Sequence, residues 1–564
     1  MKLHPQDRVT AFTEAGLWGA RSWPELLDEH VRTMPDRLAV VDPPNLADIN
    51  GSTPQRLTWS ELDRQVNRLA ALLREHGVSR GDVVGIQLPN SADLVISYLA
   101  LASIGAISTP FPAQYRAFEL EQMGRLAHIT AFIGAGRIHD HQLASVAPRL
   151  RQIPELHSIL GLGPDLPDGV IAIDVRHGDA ARVERLDHDP NEAVTICWTS
   201  GTESTPKGVP RCANDWYPMA ISSVDGAELT VDDVLLNPFP MVNMAGIGGM
   251  LVPWLLTGAV LVQHHPFDAD IFFGQLHAEQ VTYTVAPPAL LIRALDLPGC
   301  TPETLRSVRV IGSGSAPLPP SMITAWRDRF EIDVVNCFGS NEGINMISDA
   351  RTVPDPTQRS VLFPRFGSPD HTWRNRASRG VQSKLVDPVT GDDVTTPDTP
   401  GELRLMGPGV FAGYLAGTAS SDPFDEDGYY CTGDLFQLVA DDDGELRFLK
   451  YVDRAKDLIV RGGMNISPAE IESLVLGHPS VAEVAVVGVP DDTLGERTCA
   501  VVVAHSGHSL TLDDLTSHLR ELNIATYKLP ESLVLVDALP RNPVGKVLKR
   551  ELRVQHSTRH PEAS

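Results

Sequence analysis

The sequence predicts an α/β protein with a large N-terminal domain of mixed or parallel sheets flanked by helices, and a small C-terminal α+β domain. Three observations support this fold class. The chain has 564 residues, which is too many for a single hydrophobic core. Helical and strand-like patterns alternate through its first two-thirds, as in parallel α/β sheets. After about residue 453 the pattern changes to a short α+β unit of a common domain size.

The N-terminal alternation begins with a capping box at Thr58-Trp-Ser-Glu61. Leucine and valine follow it at helical spacing until Gly77, which ends the predicted helix. A buried strand over 82–88, an apolar helix over 94–103 and a strand over 106–110 come next. This β-α-β order favours parallel strands connected by helices.

The segment 234–267 contains no aspartate, glutamate, lysine or arginine, so a membrane span is one way to interpret it. Several prolines and glycines interrupt the segment, however, and a lipid-exposed helix tolerates such interruptions poorly. We therefore expect a buried helix followed by a strand, and no integral membrane segment.

In the C-terminal part, Ser467-Pro-Ala-Glu470 predicts a helix that begins with a capping box. Strand-like segments cover 481–489 and 498–504, and a helical pattern covers 512–522. Residues 557–564 have the composition of a disordered tail. Together these segments predict the small second domain.

Composition narrows the classes of partner. The chain has 47 Lys and Arg against 72 Asp and Glu, a net charge of −25, so its surface repels nucleic-acid phosphates. Its six cysteines form no CxxC pair, which is typical of a reduced, cytoplasmic protein. The N-terminus shows no apolar signal-peptide region. We therefore expect a cytoplasmic protein without nucleic-acid partners.

The strongest local signal is Trp198-Thr-Ser-Gly-Thr-Glu-Ser-Thr-Pro-Lys-Gly-Val209, which follows an apolar strand at 193–197. Backbone N–H groups and hydroxyls in such a loop can surround phosphate oxygens, and Lys207 adds positive charge. The loop is not a Walker motif, since the chain has no GxxxxGK[ST]. By itself, a loop of serine, threonine and glycine is more often a surface turn.

Five further segments accompany this loop in a fixed order. They are Ser313-Gly-Ser-Ala-Pro-Leu318, Asn336-Cys-Phe-Gly-Ser-Asn-Glu342, Tyr430-Cys-Thr-Gly-Asp434, the stretch from Asp453-Arg-Ala-Lys-Asp457 through Arg461-Gly-Gly-Met464, and Pro540-Arg-Asn-Pro-Val-Gly-Lys546. With the phosphate loop, they resemble the signature motifs of the adenylate-forming superfamily of acyl- and aryl-CoA ligases, which bind AMP. The similarity is greatest to aryl-acid adenylating enzymes of the dihydroxybenzoate type.

The resemblance implies an ATP-dependent acid:thiol ligase, with ATP, Mg²⁺ and CoA as cofactors and a carboxylic acid as substrate. A carboxylate is a poor acyl donor because its leaving group would be oxide. Attack on the α-phosphate of ATP makes that oxygen part of AMP, a good leaving group, which a thiol then displaces. Because both reactants are anions, catalysis depends on positioning and charge neutralisation.

The resemblance also implies residue roles. The catalytic residues would be Lys546, Glu342 and Lys207, with Glu342 and Thr202 at the metal. The nucleotide would contact Thr199, Ser200, Gly201, Thr202, Ser315, Ala316, Pro317, Asn336, Phe338, Gly339, Asn341, Asp434 and Arg454. Lys456 would be the hinge about which the small domain rotates between half-reactions, and Gly462 and Gly463 would line the CoA tunnel. The implied division is an AMP-binding domain at 1–453, a hinge at 454–456, a mobile domain at 457–553 and a tail at 554–564.

Several positions depart from the family pattern. Glu203 and Ser204 replace the usual Thr-Gly of the phosphate loop, and Asn243 stands where a histidine is usual. Met244 stands where the dihydroxybenzoate-type enzymes have an asparagine that holds the ortho-hydroxyl of the substrate. A thioether cannot donate a hydrogen bond, so a hydroxybenzoate is disfavoured.

The acid pocket is therefore predicted to be apolar and roomy. Its predicted residues are Asn243, Met244, Gly248 and Gly314, with Gly246 and Gly249 adding space. The expected substrate is an aliphatic, alicyclic or unsubstituted aryl acid. Close packing of a helix against a strand is the alternative role of these glycines, and it stays open.

Two alternative functions remain. The acyl group could pass to the phosphopantetheine of a carrier protein in place of CoA. A degenerate nucleotide-binding protein without ligase activity is the alternative of another class, and the retained Lys207, Glu342, Asp434, Arg454 and Lys546 argue against it. A homodimer is compatible with the sequence, which does not determine the oligomeric state.

Overall fold

The structure, a computed structural model, describes residues 1–177, 188–199, 206–368, 371–461, 464–491, 493–522, 524–542 and 545–556. The predicted tail at 557–564 lies outside these residues. The α-helices are α1 (Gln6–Glu14), α2 (Trp23–Thr33), α3 (Leu46–Asn50), α4 (Trp59–Glu75), α5 (Ala92–Ser103), α6 (Ala117–Leu126), α7 (Leu143–Leu150), α8 (Ala213–Ala227), α9 (Met244–Gly246), α10 (Val252–Thr257), α11 (Ala269–Ala278), α12 (Pro288–Ala294), α13 (Pro320–Phe330), α14 (Pro356–Arg359), α15 (Pro468–Val475), α16 (Leu512–Glu521) and α17 (Lys549–His556).

The strands are β1 (Leu38–Val41), β2 (Arg56–Thr58), β3 (Val83–Gln87), β4 (Ile107–Pro110), β5 (Ala131–Ala135), β6 (Arg137–Ile138), β7 (His141–Gln142), β8 (Ser158–Leu162), β9 (Ile171–Ala172), β10 (Ala193–Thr199), β11 (Lys207–Cys212), β12 (Val234–Asn237), β13 (Val260–Gln263), β14 (Tyr283–Val285), β15 (Val310–Gly314), β16 (Asp333–Gly339), β17 (Asn345–Ser348), β18 (Leu362–Pro364), β19 (Gln382–Val386), β20 (Gly401–Met406), β21 (Tyr430–Val439), β22 (Phe448–Arg454), β23 (Ile459–Arg461), β24 (Met464–Ile466), β25 (Val481–Asp491), β26 (Gly495–Ala504) and β27 (Ser532–Leu535).

Two large sheets form most of the N-terminal part. One has the order β17-β16-β15-β14-β12-β13-β1-β2, and its six inner strands are parallel. The other has the order β11-β10-β4-β3-β5-β8-β9, parallel except for the β10–β11 pair. One hydrophobic core joins residues of both sheets with residues of α2, α4, α5, α8 and α10. The predicted α/β fold class is confirmed.

Two smaller sheets follow. The strands β18-β22-β21-β20-β19 form an antiparallel sheet that ends at Arg454. A separate sheet is built from β23 to β27, and it has its own core with α15 and α16. The chain passes from one sheet to the other between Arg454 and Ile459. The domain boundaries given above stay a prediction.

Local sequence signals account for several of these elements. The Thr58 capping box is present with both of its reciprocal hydrogen bonds, and it begins α4. The predicted box at Ser467 is half formed. Ser467 Oγ accepts from the Glu470 N–H, but the Glu470 carboxylate pairs with Lys528 Nζ at 2.7 Å. The Glu470 carboxylate therefore binds an ammonium group that is distant in sequence, in place of the Ser467 N–H.

The uncharged segment 234–267 folds as β12, the helical stretch from α9 to α10, and β13. Ile247–Leu251, between those two short helices, forms a π-helix, a distortion frequent at functional sites. No helix within the described residues is long and apolar enough to cross a membrane. The expectation of a buried helix followed by a strand is confirmed.

Candidate active site

The predicted site residues converge at the carboxyl ends of parallel strands. The loops after β15 and β16 carry 315–317 and 340–342, and β10 ends at Thr199 beside them. This edge is where ligands bind in open α/β sheets. Of the predicted phosphate-loop residues, Ser200, Gly201 and Thr202 lie outside the described residues, as do Gly462 and Gly463 of the predicted tunnel.

Glu342 lies at the centre of the site and is only 7% exposed. Its Oε1 accepts a hydrogen bond from Tyr414 Oη at 3.0 Å. Lys207, the first residue of β11, lies over the Tyr414 ring with Nζ 5.2 Å from the ring centroid. Tyr414 therefore holds the carboxylate and the ammonium on adjacent sides of one cleft. The sequence signal for Tyr414 is the Gly413-Tyr414 pair, which by itself does not indicate contact with Glu342.

Asp434 and Arg454 form an ion pair across neighbouring strands. They are opposite each other in the β21–β22 register, and Arg454 Nε donates to Asp434 Oδ1 at 3.1 Å. Burial raises the pKa of Asp434, and the charges of Arg454 and Lys546 oppose this increase in part. For Arg454, burial opposes the charge, but Asp434 and other anionic groups raise its pKa. A buried carboxylate with a fixed cationic neighbour suits a pair of ribose hydroxyls.

Lys546 of the C-terminal part reaches the same cleft. Its loop is closed locally, because Lys546 N donates to Asn542 Oδ1 and Asn542 N donates to Lys546 O, both at 2.8 Å. The residue as a whole is exposed to solvent, and its ammonium lies near Arg454 and Asp434. Desolvation of its ammonium by the surrounding protein, followed by the charge of Arg454, lowers its pKa to about 8. Positive charges are thus concentrated where a triphosphate and a carboxylate would meet.

The predicted adenine side combines an aromatic cluster with a strained loop. The Phe338 ring lies 5.0 Å from Phe436 and 6.1 Å from Tyr451, centroid to centroid. Ser315, followed by the exposed Ala316 and Pro317, has φ of 71°, a left-handed conformation that a non-glycine residue rarely adopts. Such strain is often found at functional sites.

The amide nitrogen of Asn336, which the sequence predicts at the nucleotide, is already bonded to the protein main chain. Its Nδ2 donates to the main-chain oxygens of Arg359 and Ser360, at 3.2 and 2.8 Å. The amide nitrogen thus anchors the end of α14. Contact between Asn336 and the nucleotide would therefore depend on its side-chain oxygen, Oδ1. The sequence motif does not show that the amide nitrogen is already used.

Asn341 and Arg211 connect the motifs to one another. Asn341 Oδ1 accepts from Met244 N at 2.7 Å, and Asn341 O accepts from Arg211 Nη1 at 2.9 Å. The Arg211 side chain is fully buried and also donates to Gly409 O at 2.8 Å. Arg211 therefore fixes the backbone directly before Glu342. In the sequence, a buried arginine at this position cannot be distinguished from a surface one.

The predicted hinge lies between β22 and β23. Ala455 N donates to Gly433 O at 3.0 Å, and beyond the hinge Asp457 pairs with Arg553 at 2.7 Å. Burial, followed by the charge of Arg454, lowers the pKa of Lys456. The backbone hydrogen bond of Ala455 ties the predicted hinge to Gly433 of β21, the neighbour of Asp434. Rotation of the C-terminal part about this hinge would therefore act directly on the predicted nucleotide site.

The predicted acid-pocket residues fall into two groups. Asn243 caps α9, accepting from the Ala245 and Gly246 N–H groups at 3.1 and 3.3 Å, and Met244 lies partly exposed beside it. A Cβ on Gly248 would contact the buried Trp216 ring at 3.1 Å, whereas one on Gly249 would meet nothing nearer than Met244 O at 3.9 Å. Gly248 therefore serves packing against α8, and Gly249 faces open space.

Gly314 and Gly339 complete this pocket on the sheet side. A Cβ on Gly314 would clash with Cys337 O, so this glycine lets β15 approach β16 closely. A Cβ on Gly339 would clash with the Met244 methyl group, which places Met244 directly over β16. The space available to an acid thus lies between β16 and the helical stretch at Met244 and Gly249.

Two further features lie outside this cleft. His4, Cys212 and Asp215 are buried together and could in principle ligate a metal. The buried guanidinium of Arg211 disfavours a cation there, and His4 Nε2 bonds Asp215 Oδ1 at 2.8 Å. A cavity on the opposite face of the eight-stranded sheet, near Phe272, Leu291 and Trp326, is lined mainly by apolar side chains.

Comparison with known proteins agrees with this architecture. Residues 27–415 match the model of the AMP-binding enzyme family, and residues 470–546 match that of the AMP-binding enzyme C-terminal domain. The medium-chain fatty-acid–CoA ligase of Escherichia coli is 29% identical over 97% of this chain and 93% of its own length. A 3-[(3aS,4S,7aS)-7a-methyl-1,5-dioxo-octahydro-1H-inden-4-yl]propanoyl:CoA ligase of Rhodococcus jostii is 31% identical over 88% of this chain and 93% of its own. The crystal structure of ATP-bound MatB from Rhodopseudomonas palustris, 26% identical, superposes with a TM-score of 0.78 over 95% of this chain and 99% of its own.

The fold and the cleft define an ATP-dependent acid–thiol ligase that forms AMP. The chain belongs to the AMP-binding enzyme family, as the first of these matches alone covers more than half of it. It activates a carboxylic acid with ATP and forms a thioester with CoA.

Proposed function

We propose that this ligase acts on an acid with an apolar body, and that the residues assembled in the cleft catalyse its adenylation. The observation that carries the proposal is the convergence of Lys546, Glu342, Lys207 and the Asp434–Arg454 pair. These groups come from segments up to 339 positions apart in the chain, from Lys207 to Lys546. Their charges suit one nucleotide with its triphosphate and one incoming carboxylate.

In this proposal the chain's own groups act by position and charge. Lys546 bridges the acid carboxylate and the α-phosphate, so that the carboxylate oxygen attacks phosphorus and pyrophosphate leaves. Lys207 neutralises the triphosphate, and Asp434 accepts hydrogen bonds from the ribose hydroxyls. Because these groups are held before the substrates bind, little reorganisation accompanies the reaction. The thiol then attacks the acyl carbon, and AMP departs with the former carboxylate oxygen.

The residues present also fit a magnesium ion. Mg²⁺ prefers carboxylate and phosphate oxygens, and Glu342 offers a carboxylate in the cleft whose Oε1 is already oriented by Tyr414. Glu342 would hold the ion, with Thr202 as the second predicted ligand. The ion would supply positive charge at the phosphates.

The acid is proposed to be aliphatic, alicyclic or aryl without an ortho-hydroxyl. Met244 lies over β16 and offers no hydrogen-bond donor in its side chain, while Asn243 uses its oxygen to cap α9. Two relatives are named as a salicyl-AMP ligase from Mycobacterium tuberculosis and a salicylyl-CoA synthase from Streptomyces, each 29% identical. Others are named as ligases for medium-chain fatty acids, indoleacetate and 4-coumarate. Met244 favours an acid of the second kind, without an ortho-hydroxyl group.

We further propose that the domain beyond residue 456 rotates at Lys456 between half-reactions, bringing Gly462 and Gly463 to the thiol. Free CoA is the proposed acceptor, with a carrier-protein phosphopantetheine as the alternative, since one relative is named a salicyl-S-ArCP synthetase. All six cysteines are free, which agrees with a reducing, cytoplasmic location. A homodimer stays a proposal without a supporting contact.

Pyrophosphate release measured over a panel of acids tests the proposal. Benzoate, phenylpropanoate and medium-chain acids should be activated at least tenfold more efficiently than salicylate. A tenfold preference corresponds to about 1.4 kcal/mol of discrimination. The best acid is then offered CoA and a phosphopantetheinylated carrier protein in parallel. The Lys546→Ala variant should release no pyrophosphate, whereas the matched Lys528→Met variant, which removes the partner of Glu470, should remain active. Strong preference for salicylate would overturn the assignment of the acid.

A further inference from the structure

We propose that Tyr283 closes the inner end of the acid pocket and that its hydroxyl binds a polar group at the far end of the substrate. This inference rests on the proposed function. Tyr283 begins β14, in the middle of the eight-stranded sheet. In the parallel register, Tyr283 is opposite Val310, Val285 is opposite Gly312, and Gly314 is opposite Cys337. Residues two apart share a face of a sheet, so Tyr283 points to the same side as the pocket.

Gly312 provides the space into which this tyrosine leans. A Cβ on Gly312 would lie 2.8 Å from Tyr283 Oη and 3.0 Å from a Val285 methyl group. The phenol therefore extends along β15 over Gly312, in the direction of Cys337, which is partly exposed at the pocket. A side chain at Gly312 would push the ring away.

The Tyr283 side chain is almost fully buried, and its hydroxyl oxygen keeps slight access to open space. The residue is 1% exposed, and its Oη makes no hydrogen bond with any part of the chain that the structure describes. Tyr98, equally buried, donates its hydroxyl hydrogen to Met241 O at 2.5 Å. A hydroxyl in a largely apolar surrounding gains from a hydrogen-bond partner, so such a group suits a polar ligand atom.

The register gives the depth of the pocket. Gly339, under Met244, and Val335, opposite Gly312, are separated by four residues of β16, or about 13 Å at 3.3 Å per residue. An acid held at its carboxylate near Glu342 would reach Tyr283 with its far end. The substrate class is therefore an acid whose body is apolar and whose distal end carries a carbonyl or hydroxyl group. The ortho position, next to the carboxylate, would face Met244 instead.

Pairs of acids that differ only at the distal group test this inference. We suggest 4-hydroxyphenylpropanoate with 4-methylphenylpropanoate, and 7-oxooctanoate with octanoate, each assayed by pyrophosphate release. The wild-type enzyme should prefer the polar member of a pair. Tyr283→Phe should lower kcat/KM for the polar member by about 5- to 30-fold, and for the apolar member by less than about twofold. The Tyr98→Phe variant is the matched control, and it should change both members of a pair equally.

Thermal unfolding of the free enzyme gives an independent readout. Because the Tyr283 hydroxyl has no hydrogen-bond partner among the residues that the structure describes, Tyr283→Phe should leave Tm unchanged or raise it, whereas Tyr98→Phe should lower Tm. An equal loss for both members of each pair, or no wild-type preference for the polar member, would overturn the inference while leaving the ligase function intact. Absence of pyrophosphate release with every acid would instead refute the proposed function.

Discussion

Raising the pH should stop the first half-reaction by removing the proton from Lys546. Its ordinary pKa of 10.5 is lowered to about 8 by desolvation and by Arg454. The charged ammonium is the active form, so activity is present below that pKa and is lost as the pH rises through it. The protonated fraction is about nine-tenths at pH 7, half at pH 8 and one-tenth at pH 9. The kcat/KM for ATP should therefore fall about tenfold between pH 7 and pH 9.

The assay is pyrophosphate release at saturating acid and limiting ATP, since kcat/KM reports the ionisation of the free enzyme. Lys546→Arg keeps its charge over this range and should be slower than the wild type but insensitive to pH. Lys528→Met should keep the wild-type profile, because Lys528 pairs with Glu470 and not with Asp434 or Arg454. A wild-type rate that stays level to pH 9.5, or an Arg variant with the same decline as the wild type, would refute this reasoning.

Three other changes have definite expected results. Asp434→Asn removes the carboxylate partner of Arg454 and should raise the KM for ATP about tenfold or more, with little effect on the KM for the acid; an unchanged KM for ATP would contradict the ribose assignment. Met244→Asn should increase activity with salicylate relative to benzoate at least about fivefold, and no gain would show that position 244 does not face the ortho carbon. Arg211→Met leaves Asn341 O and Gly409 O without their buried donor, and urea denaturation should show a loss of about 3 kcal/mol in the free energy of unfolding. A loss below about 0.5 kcal/mol would mean that the buried guanidinium is not a structural link.

Local patterns were sufficient for the elements and for the approximate location of the site. The Thr58 box begins α4 because both of its hydrogen bonds lie within four residues of chain. Ser467 shows the limit of such patterns, since Lys528, distant in sequence, takes the Glu470 carboxylate. The family resemblance predicts that the motifs share one site, but only the three-dimensional structure shows which atoms are in contact.

The pocket illustrates the same limit. From the sequence, Gly248 and Gly249 are equivalent, yet one faces Trp216 and the other faces open space, because adjacent residues of a helix point in different directions. Asn243 was predicted to edge the pocket, and its oxygen caps α9. No pattern in the sequence marks Tyr283, because a tyrosine at the start of a buried strand is ordinary. Only the fold shows that its hydroxyl has no hydrogen-bond partner among the described residues. Side-chain direction and hydrogen-bond satisfaction depend on the tertiary fold, which no short pattern encodes.

Isotope transfer tests the central claim most directly. The acid that this enzyme uses best is prepared with ¹⁸O in both carboxylate oxygens and is turned over once with ATP and CoA. If the carboxylate oxygen attacks the α-phosphate and later departs with AMP, mass spectrometry will find one ¹⁸O atom in each AMP and none in the pyrophosphate. Label in orthophosphate with ADP as the product, or AMP without label, would contradict the acyl-adenylate mechanism.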